Sequence, residues 1–489
     1  MTAAAPPVHD PAPFLEALAS NREQGMVSFS CPGHKGGQGA AGGVLALLGE
    51  GVFGHDVWLN TADHDRLRRV AESLAARTWG ADRSFFLVNG SSSGNQAYLL
   101  AAVGPGDEVI VGRDLHKSLL VGLILTGARP VYVAPRVHPE LGVGLGVAAA
   151  DVAAALARHP AARLVTLVSP SHDGVASDLD GVVAAAHARG VPVYVDEAWG
   201  PHLGFHPALP AGAMAAGADG AVTSTHKFLS SLSQTSLLNV RAGRVDPARV
   251  ATTVRMTQTT SPLLPLLASL DACRRQLATD GERLLDRAIE LADDARRRLR
   301  MLPGLDVLGP DQLGLGPGRF DPLKLVVDTS GLGLRGQEAE RLLRDRLAIA
   351  PDASDLRGVV CMVTIGDTRD SIDQFVGAFA ALCAQQPARP AARALPPPWH
   401  TGSIPAQVLS PREAFFAPSR AVRLRDAVGE VAAELVVPYP PGIPVLVPGE
   451  VIGPEVVDHL LACRNAGVHI CGPADPALDR VAVVTGERP

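Results

Sequence analysis

Between residues 65 and 240, short apolar runs rich in β-branched residues alternate with longer stretches in which apolar residues recur at helical spacing. The apolar runs predict strands at residues 84–88, 108–111, 130–133, 164–168, 191–195 and 220–223. The longer stretches predict helices at residues 65–79, 94–102, 147–158 and 179–189. Alternating strands and helices of this kind are typical of an α/β fold with a mainly parallel sheet, which binds ligands beyond the carboxyl ends of its strands.

The rest of the chain divides by its pattern into further segments. A helical stretch at 263–301 leads from the α/β segment to a second, smaller set of strands and helices. A Pro-rich stretch around Pro396-Pro397-Pro398 is typical of an extended linker. We therefore expect an N-terminal arm, a large domain, a small α/β domain, a linker and a C-terminal α+β domain, over residues 1–25, 26–300, 301–385, 386–411 and 412–489.

Composition narrows the classes of partner and compartment. The 489 residues carry a net charge of −6 without a basic stripe, which argues against nucleic-acid binding. No apolar run is long enough to span a bilayer, and the N-terminus lacks the pattern of a signal peptide. The six cysteines form no C-x-x-C pair and are typical of reduced thiols. We expect a cytoplasmic protein whose partner is a small molecule, with no membrane attachment.

Lysine is rare in this chain, and one lysine stands where chemistry is expected. Among 44 basic residues there are only four lysines, Lys35, Lys117, Lys227 and Lys324. Unlike arginine, a desolvated lysine can lose its proton and form a Schiff base. Lys227 follows the predicted strand at 220–223, and Asp196 follows the strand at 191–195. Our hypothesis is that Lys227 binds pyridoxal 5'-phosphate (PLP) and that Asp196 holds the pyridinium nitrogen of this cofactor. The alternative is that Lys227 is an ordinary surface lysine.

Serines after two predicted strands fit the phosphate of such a cofactor. Ser91 and Ser92 lie in the run 89–95, which follows a strand and opens a helix. Hydroxyls and N–H groups at a helix N-terminus bind phosphate dianions. Ser224 would supply a second phosphate contact. The alternative for the serine run is a plain strand-to-helix turn with a serine cap.

Three more residues would surround the cofactor ring. His116, in the run 113–118 after the strand at 108–111, would stack its ring on the cofactor. Ala198 is small enough to let the ring lie against the backbone, and His226 would place a second imidazole beside Lys227. A surface loop is the alternative for His116.

Taken together, these segments resemble the bacterial Orn/Lys/Arg decarboxylases, a PLP-dependent family of fold type I. The matching segments are 29–36, 89–95, 113–118, 169–171 with 173–174, 196–200, 224–227 with 233–234, 259–262, 321–325, 411–414, 438–442 and 448–450. The resemblance implies an aspartate aminotransferase-like large domain with a mainly parallel seven-stranded sheet, a small α/β domain and a C-terminal α+β domain. It also implies PLP as the cofactor.

The resemblance further implies roles for individual residues. Lys227 would bind PLP, Asp196 would hold the pyridine nitrogen and His116 would stack on the ring. Phosphate would be bound by Ser91, Ser92 and Ser224, and the cofactor site would be lined by Ala198, Trp199 and His226. Asp352 stands where family members place a Glu that binds the distal cation of the substrate. Thr259 would help at that end, from this subunit or its partner.

Several features depart from the family pattern. Asp352 is one methylene shorter than the usual Glu, His172 stands where Tyr is common, and Asn239 stands where His is usual. The changes at 352 and 239 bear on the substrate rather than on the fold. The chain looks like the short form of the family, without the large N-terminal wing domain of the acid-stress members. We therefore expect a homodimer or dimer-based oligomer with its active site at the subunit interface.

We therefore predict a PLP-dependent decarboxylase of a basic L-amino acid in polyamine biosynthesis. Arginine is favoured over lysine and ornithine, because the shorter acid leaves room for a guanidinium. Two alternatives stay open: another PLP reaction, such as transamination, aldol cleavage or oxidation, and a catalytically silent homologue that binds amines. No metal site is expected, because His202 and His206 flank Gly204 in a loop-like stretch.

Overall fold

The computed structural model describes residues 9, 11–23, 51–52, 55–56, 61–385, 404–439 and 443–485. The motif at 29–36, most of the expected linker and the end of the motif at 438–442 lie outside these residues. None of the helices within the described ranges is both long enough and apolar enough to cross a membrane.

Strands and helices alternate along the described chain. The strands are β1 (Arg83–Leu87), β2 (Glu108–Gly112), β3 (Arg129–Val133), β4 (Arg136–Val137), β5 (Gly144–Gly146), β6 (Leu164–Val168), β7 (Val193–Asp196), β8 (Gly220–Thr223), β9 (Ser236–Val240), β10 (Asp306–Val307), β11 (Lys324–Asp328), β12 (Ala353–Ser354), β13 (Gly358–Met362), β14 (Ser419–Arg423), β15 (Val437–Tyr439), β16 (His469–Cys471) and β17 (Arg480–Val484). The helices are α1 (Pro13–Glu23), α2 (Thr61–Trp79), α3 (Gly90–Ala102), α4 (Lys117–Thr126), α5 (Ala149–Arg158), α6 (Leu179–His187), α7 (Thr225–Phe228), α8 (Pro247–Thr257), α9 (Leu264–Arg300), α10 (Pro310–Leu313), α11 (Gly336–Leu347), α12 (Arg369–Gln385), α13 (Pro411–Phe416) and α14 (Pro454–Asn465).

A seven-stranded sheet in the order β1-β9-β8-β7-β6-β2-β3 forms the centre of the large domain. Strands β8, β7, β6, β2 and β3 are parallel, while β9 runs antiparallel to both of its neighbours. The strands are apolar and largely buried, and helices cover the sheet. The predicted mainly parallel α/β sheet is confirmed.

Strand β9 is missing from the sequence-based prediction because polar residues interrupt its apolar pattern. Ser236 and Asn239 lie on this strand, and both are completely buried. Asn239 accepts a hydrogen bond from the hydroxyl of Ser84 on β1, the neighbouring edge strand. The carbonyl oxygen of Asn239 therefore has a partner inside the sheet, while among the described residues its Nδ2 and the Ser236 hydroxyl have none. A pattern of hydrophobicity alone does not reveal buried polar groups of this kind.

Helix α3 begins at Gly90 rather than at the predicted residue 94, so its glycine and serines form the first turn. Such residues are poor in helix interiors but tolerated at helix starts. The helix also lies very close to the sheet. A Cβ added at Gly94 would come within 2.6 Å of Val222 and 2.8 Å of Leu87. This close approach brings the first turn of α3 to the carboxyl ends of β1 and β8.

Two smaller units follow the large sheet. Helix α9, 37 residues long, leads to a four-stranded antiparallel sheet in the order β10-β11-β13-β12. Further along, β14 pairs with β17 and β15 with β16, around a separate apolar cluster that includes α14. The exact domain boundaries given above stay a prediction.

Residues of the C-terminal segment hold α4, the helix that follows His116, at both ends. Arg113, just before that helix, is buried and forms a two-pronged ion pair with Glu450 at 2.9–3.0 Å. Arg412 donates to the carbonyls of Ile124 and Leu125 at the other end, at 2.9 and 3.1 Å. The structure thus joins motifs that lie more than 280 residues apart in the chain.

We expect Glu450→Ala to lower the free energy of unfolding by about 3–5 kcal/mol, because it leaves the Arg113 guanidinium buried without its partner. Urea unfolding of the purified protein measures the change. The matched control is Glu430→Ala in the same segment, which breaks the more exposed pair with Arg420 and is expected to cost at most about 1 kcal/mol. Equal losses in the two variants would contradict a special role for the buried pair.

Candidate active site

The carboxyl ends of the parallel strands bring the candidate residues to one edge of the large sheet. Asp196 ends β7, Ser224 follows β8 and His116 lies in the loop after β2. Strand β1 has the same direction as β8, since β9 is antiparallel to both, so the start of α3 with Ser91 and Ser92 lies at the same edge. The topology therefore gathers segments that are far apart in the chain.

Asp196 is buried and receives hydrogen bonds on both oxygens. The amide of Asn95 on α3 donates to Oδ2 at 2.7 Å, and the backbone N–H of Ala198 donates to Oδ1 at 3.2 Å. The carbonyl of Ala198 in turn accepts from the backbone N–H of Ser224 at 3.4 Å, which links the ends of β7 and β8. Donors on both oxygens suit an ionised carboxylate.

Asn95 is a site residue to which the sequence assigned no role. Its side chain is completely buried, and its amide also donates to Ser118 Oγ at 2.8 Å. The hydroxyl of Tyr194 donates to its carbonyl oxygen at 2.8 Å. One amide therefore joins α3, β7 and the start of α4. Its position in the serine-rich run 89–95 was the only hint in the sequence that Asn95 belongs to the site. The direction of its side chain can be inferred only once α3 is known to begin at Gly90.

Ser118 fixes the protonation state of His116. Its backbone N–H donates to His116 Nδ1 at 3.3 Å, and its hydroxyl lies 2.7 Å from the same atom. A backbone N–H can only donate, so Nδ1 is an acceptor and the ring proton is on Nε2. Desolvation lowers the pKa of His116, which agrees with a neutral imidazole. A neutral ring can stack on a cofactor without adding a charge beside the pyridinium.

Lys227 lies in the short helix α7 with its amine against an aromatic ring. Nζ is 3.5 Å from the centre of the Trp199 ring. Desolvation lowers the pKa of Lys227 to about 8; Lys324 acts in the same direction, and Asp196 and Asp352 act against it. At that pKa about a tenth of the amine is unprotonated at pH 7, far more than in an ordinary lysine, and the unprotonated amine is the form that attacks an aldehyde.

Lys324, at the start of β11, is a second amine in the same place. Its side chain is 1% exposed, and Nζ lies 3.8 Å from the centre of the Trp199 ring and 3.5 Å from Asp352 Oδ2. Burial lowers the pKa of Lys324. The sequence placed this residue in a family motif without assigning it a role, and its rarity as one of four lysines was the available signal.

The serine candidates lie where two helices begin. Ser91 and Ser92 are half-buried in the first turn of α3, and Ser224 is the buried residue before α7. Helix α3 is 13 residues long, so its N-terminal N–H groups and its dipole favour an anion. The backbone N–H of Gly90 donates to the Gln234 carbonyl at 2.8 Å, which ties this turn to the loop after α7.

Asp352 is placed near Lys227 by the small sheet. Its carboxylate contributes to the electrostatics of the Lys227 amine, pairs with Lys324 and accepts from His172 Nε2 at 3.0 Å. The His172 ring in turn packs nearly perpendicular to the Trp199 ring, with ring centres 5.0 Å apart. Asp352, His172 and Lys324 therefore form one charged cluster beside the amine.

The remaining predicted residues are less closely tied to Lys227. His226 is half-buried beside it in α7 and donates from Nδ1 to the Thr235 carbonyl at 2.8 Å. Thr259 is exposed after α8, where its hydroxyl accepts from the Ser261 N–H at 3.1 Å. Within the part of the chain that the structure describes, no hydrogen bond or ion pair links Thr259 to Lys227 or Asp352.

The residues at this edge fit PLP. Lys227 offers an amine for the aldehyde, Asp196 an acid for the pyridine nitrogen, and His116 an imidazole for the ring. The start of α3 offers hydroxyls and N–H groups for the phosphate. These groups come from separate strand ends, so their agreement does not depend on one motif. Fold and site together define a PLP-dependent enzyme of fold type I.

Comparison with known proteins gives the family. Residues 12–314 match the family described as Orn/Lys/Arg decarboxylase, major domain, and residues 400–474 match Orn/Lys/Arg decarboxylase, C-terminal domain. The chain belongs to this family, and the prediction made from its motifs is confirmed.

Relatives and solved structures agree with this assignment. An arginine decarboxylase of Halalkalibacterium halodurans is 38% identical over 479 residues, which cover 96% of this chain and 97% of that protein. An arginine decarboxylase of Bacillus subtilis is 36% identical over 488 residues, which cover 97% and 98%. The solved lysine decarboxylase A from Pseudomonas aeruginosa has a TM-score of 0.84 at 24% identity, covering 97% of this chain and 80% of that one. At 24% identity, the solved structure supports the fold alone.

We expect the rate at which cofactor-free protein binds PLP to rise with pH and to level off above about pH 8, because the unprotonated Lys227 amine is the reactive form. An ordinary lysine would still gain rate near pH 10. Stopped-flow absorbance of the lysine-bound cofactor measures the profile. Lys324→Met, which removes a neighbouring cation, is expected to move the midpoint to higher pH. A midpoint near pH 10 in the wild type would show that the site does not activate Lys227.

Proposed function

We propose that this protein decarboxylates a basic L-amino acid, arginine in preference to lysine or ornithine, and releases the corresponding amine and carbon dioxide. The observation that carries the proposal is the Lys227 amine, poised near neutral pH beside Asp196 and Trp199 in a chain of the decarboxylase family. The preference for arginine is supported by relatives of 36–38% identity named arginine decarboxylase.

The cofactor is PLP, held by residues from several strand ends. We assign Lys227 to the aldehyde carbon, Asp196 to the pyridine nitrogen and His116 to one face of the ring. The phosphate is assigned to Ser91, Ser92 and Ser224, and the remaining lining of the site to Ala198, Trp199 and His226. When bound, PLP takes up the electron pair that the departing carboxylate leaves on the α-carbon.

Asp196 and His116 do complementary work in this scheme. Asp196, fixed by Asn95 and by the Ala198 N–H, keeps a proton on the pyridine nitrogen. The protonated nitrogen lets the ring accept the electron pair from the α-carbon. His116 carries its proton on Nε2 and is neutral, so it leaves this charge balance unchanged. The network between them holds both groups in one geometry.

We assign Lys227 a second role, proton transfer, in addition to binding the cofactor. When the amine of the substrate takes its place, the Lys227 amine is set free beside the reacting carbon. The α-carbon needs one proton after carbon dioxide has left. A pKa of about 8 lets Nζ take up and give a proton near neutral pH, so we assign this step to Lys227.

The far end of the substrate is assigned to Asp352, assisted by Thr259 from this or a partner subunit. An aspartate reaches less far than a glutamate and leaves room for a planar guanidinium, which binds carboxylates with two parallel hydrogen bonds. We further propose a homodimer or dimer-based oligomer with the active site at the subunit interface. A cytoplasmic role in polyamine biosynthesis fits a decarboxylase of this class.

We expect purified protein with added PLP to produce agmatine from arginine faster than cadaverine from lysine or putrescine from ornithine, as identified by mass spectrometry. Lys227→Ala should abolish all three products because no amine remains to bind the aldehyde. Lys227→Arg keeps the positive charge and should be inactive too, since arginine does not lose its proton. Absence of all three amines in a wild type that binds PLP would overturn the substrate class, and an active Lys227→Ala would overturn the role of Lys227.

A further inference from the structure

His172 lies between two carboxylates at the substrate end of the site. Its Nε2 is 3.0 Å from Asp352 Oδ2, and its Nδ1 is 3.6 Å from Asp173 Oδ1. An imidazole that faces a carboxylate with each nitrogen is best paired when both nitrogens carry protons. Burial alone would lower the pKa of His172, but Asp173 and Asp352 outweigh it and raise the pKa above its ordinary value.

The charges around His172 come from several elements and balance one another. Asp173 belongs to its own loop, Asp352 precedes β12 and Lys324 begins β11. The Trp199 ring packs nearly perpendicular to the imidazole. Lys324 shares the same Asp352 oxygen, at 3.5 Å. With His172 protonated, these four groups carry two negative and two positive charges, which cancel. From outside the four, Lys227 acts on Asp352 and Asp321 acts on Lys324, with opposite signs.

Because these charges cancel, the negative charge of Asp352 is already neutralised when a third cation approaches. The Lys324 side chain is 1% exposed, whereas the Asp352 carboxylate is 26% exposed and can be reached by a substrate cation. Bringing a guanidinium to a filled ion cluster adds an uncompensated positive charge, which partly buried sites do not tolerate without loss of affinity. One of the resident cations must therefore lose its charge.

We propose that His172 gives up its proton when the distal cation of the substrate binds Asp352. The substrate cation thereby replaces the imidazolium, and the cluster stays neutral. A neutral His172 still has one nitrogen lone pair and one N–H, so it keeps a hydrogen bond within the cluster. This inference rests on the proposed function, because it takes Asp352 as the group that meets the substrate cation.

The exchange has a defined pH dependence. Histidine is the side chain whose charge changes most readily near neutral pH, and its partners here favour the charged form. Below the pKa of His172, each bound cation must displace one proton, so affinity should rise about tenfold per pH unit. Above that pKa the proton is already gone, and affinity should no longer change with pH through this group.

Butylguanidinium tests the exchange, because it carries the cation but has no primary amine to react with PLP. Calorimetric titration of the PLP-loaded enzyme at about pH 6, in buffers of different ionisation enthalpy, counts the protons released on binding. We expect about one proton in the wild type and close to none in His172→Phe, which keeps a ring against Trp199. His172→Gln, which keeps a hydrogen-bonding group but does not titrate, serves as a second variant should the first fail to fold.

The matched control is His206→Phe. His206 also pairs with a carboxylate, Asp286, at 2.8 Å, but that partner is 62% exposed and the pair lies on other elements. This variant should release the same number of protons as the wild type. Affinity measured from about pH 5 to 8 should rise in the wild type and stay flat in both His172 variants.

Equal proton release in the wild type and the His172 variants would overturn the inference, and so would failure of butylguanidinium to bind the wild type. Neither result bears on whether amines are formed from amino acids, which the product assay decides by itself. The two proposals can therefore fail separately.

Discussion

The hydrogen bonds of the Asn95 side chain are the constraint on which the site depends. Three polar contacts from one buried amide fix Asp196, Ser118 and Tyr194 relative to one another. Through Ser118 the same network sets the tautomer of His116. In a buried environment these bonds are strong and costly to leave unmade, so the geometry of the two residues assigned to the cofactor ring is fixed before any cofactor arrives.

A second constraint is the crowding of charged groups around Trp199. Two lysine amines lie against one indole ring, and a single carboxylate, Asp352, lies near both. Burial keeps the pKa values of both amines below the ordinary lysine value. The same small region therefore holds the reactive amine and the group that we assign to the substrate cation, which places the chemistry and the specificity side by side.

Much of the fold was predictable because apolar spacing determines it. Strand 220–223 was predicted exactly as β8 forms it, and helix α9 differs by one residue at each end from the predicted stretch. Strand β9 was missed because its buried Ser236 and Asn239 break the pattern. Local patterns of hydrophobicity indicate burial, and they cannot indicate a buried polar group such as Asn239, whose partner Ser84 lies on another strand.

Site residues could be predicted from the sequence where the proposed chemistry requires one particular residue type. Residues that act by holding others in place could not be predicted in this way. Lys227 and Asp196 stood out because few side chains suit the roles that we propose for them, and because both follow strands that the sequence predicts. Asn95 and Lys324 act through partners that lie 101 and 28 residues away, so their roles needed the folded structure. Thr259 needs a contact that this single chain does not supply within its described part, and its role stays a prediction.

The most direct test of the account is the equilibrium dissociation constant of PLP for Asn95→Leu. The variant removes a donor from Asp196 and frees Ser118, so PLP should bind at least about tenfold more weakly than to the wild type. Asn239→Leu, which removes a buried amide from the β1–β9 pair, is the control and should leave the constant nearly unchanged. An unaltered constant in a folded Asn95→Leu protein would contradict the claim that this one amide organises the cofactor site.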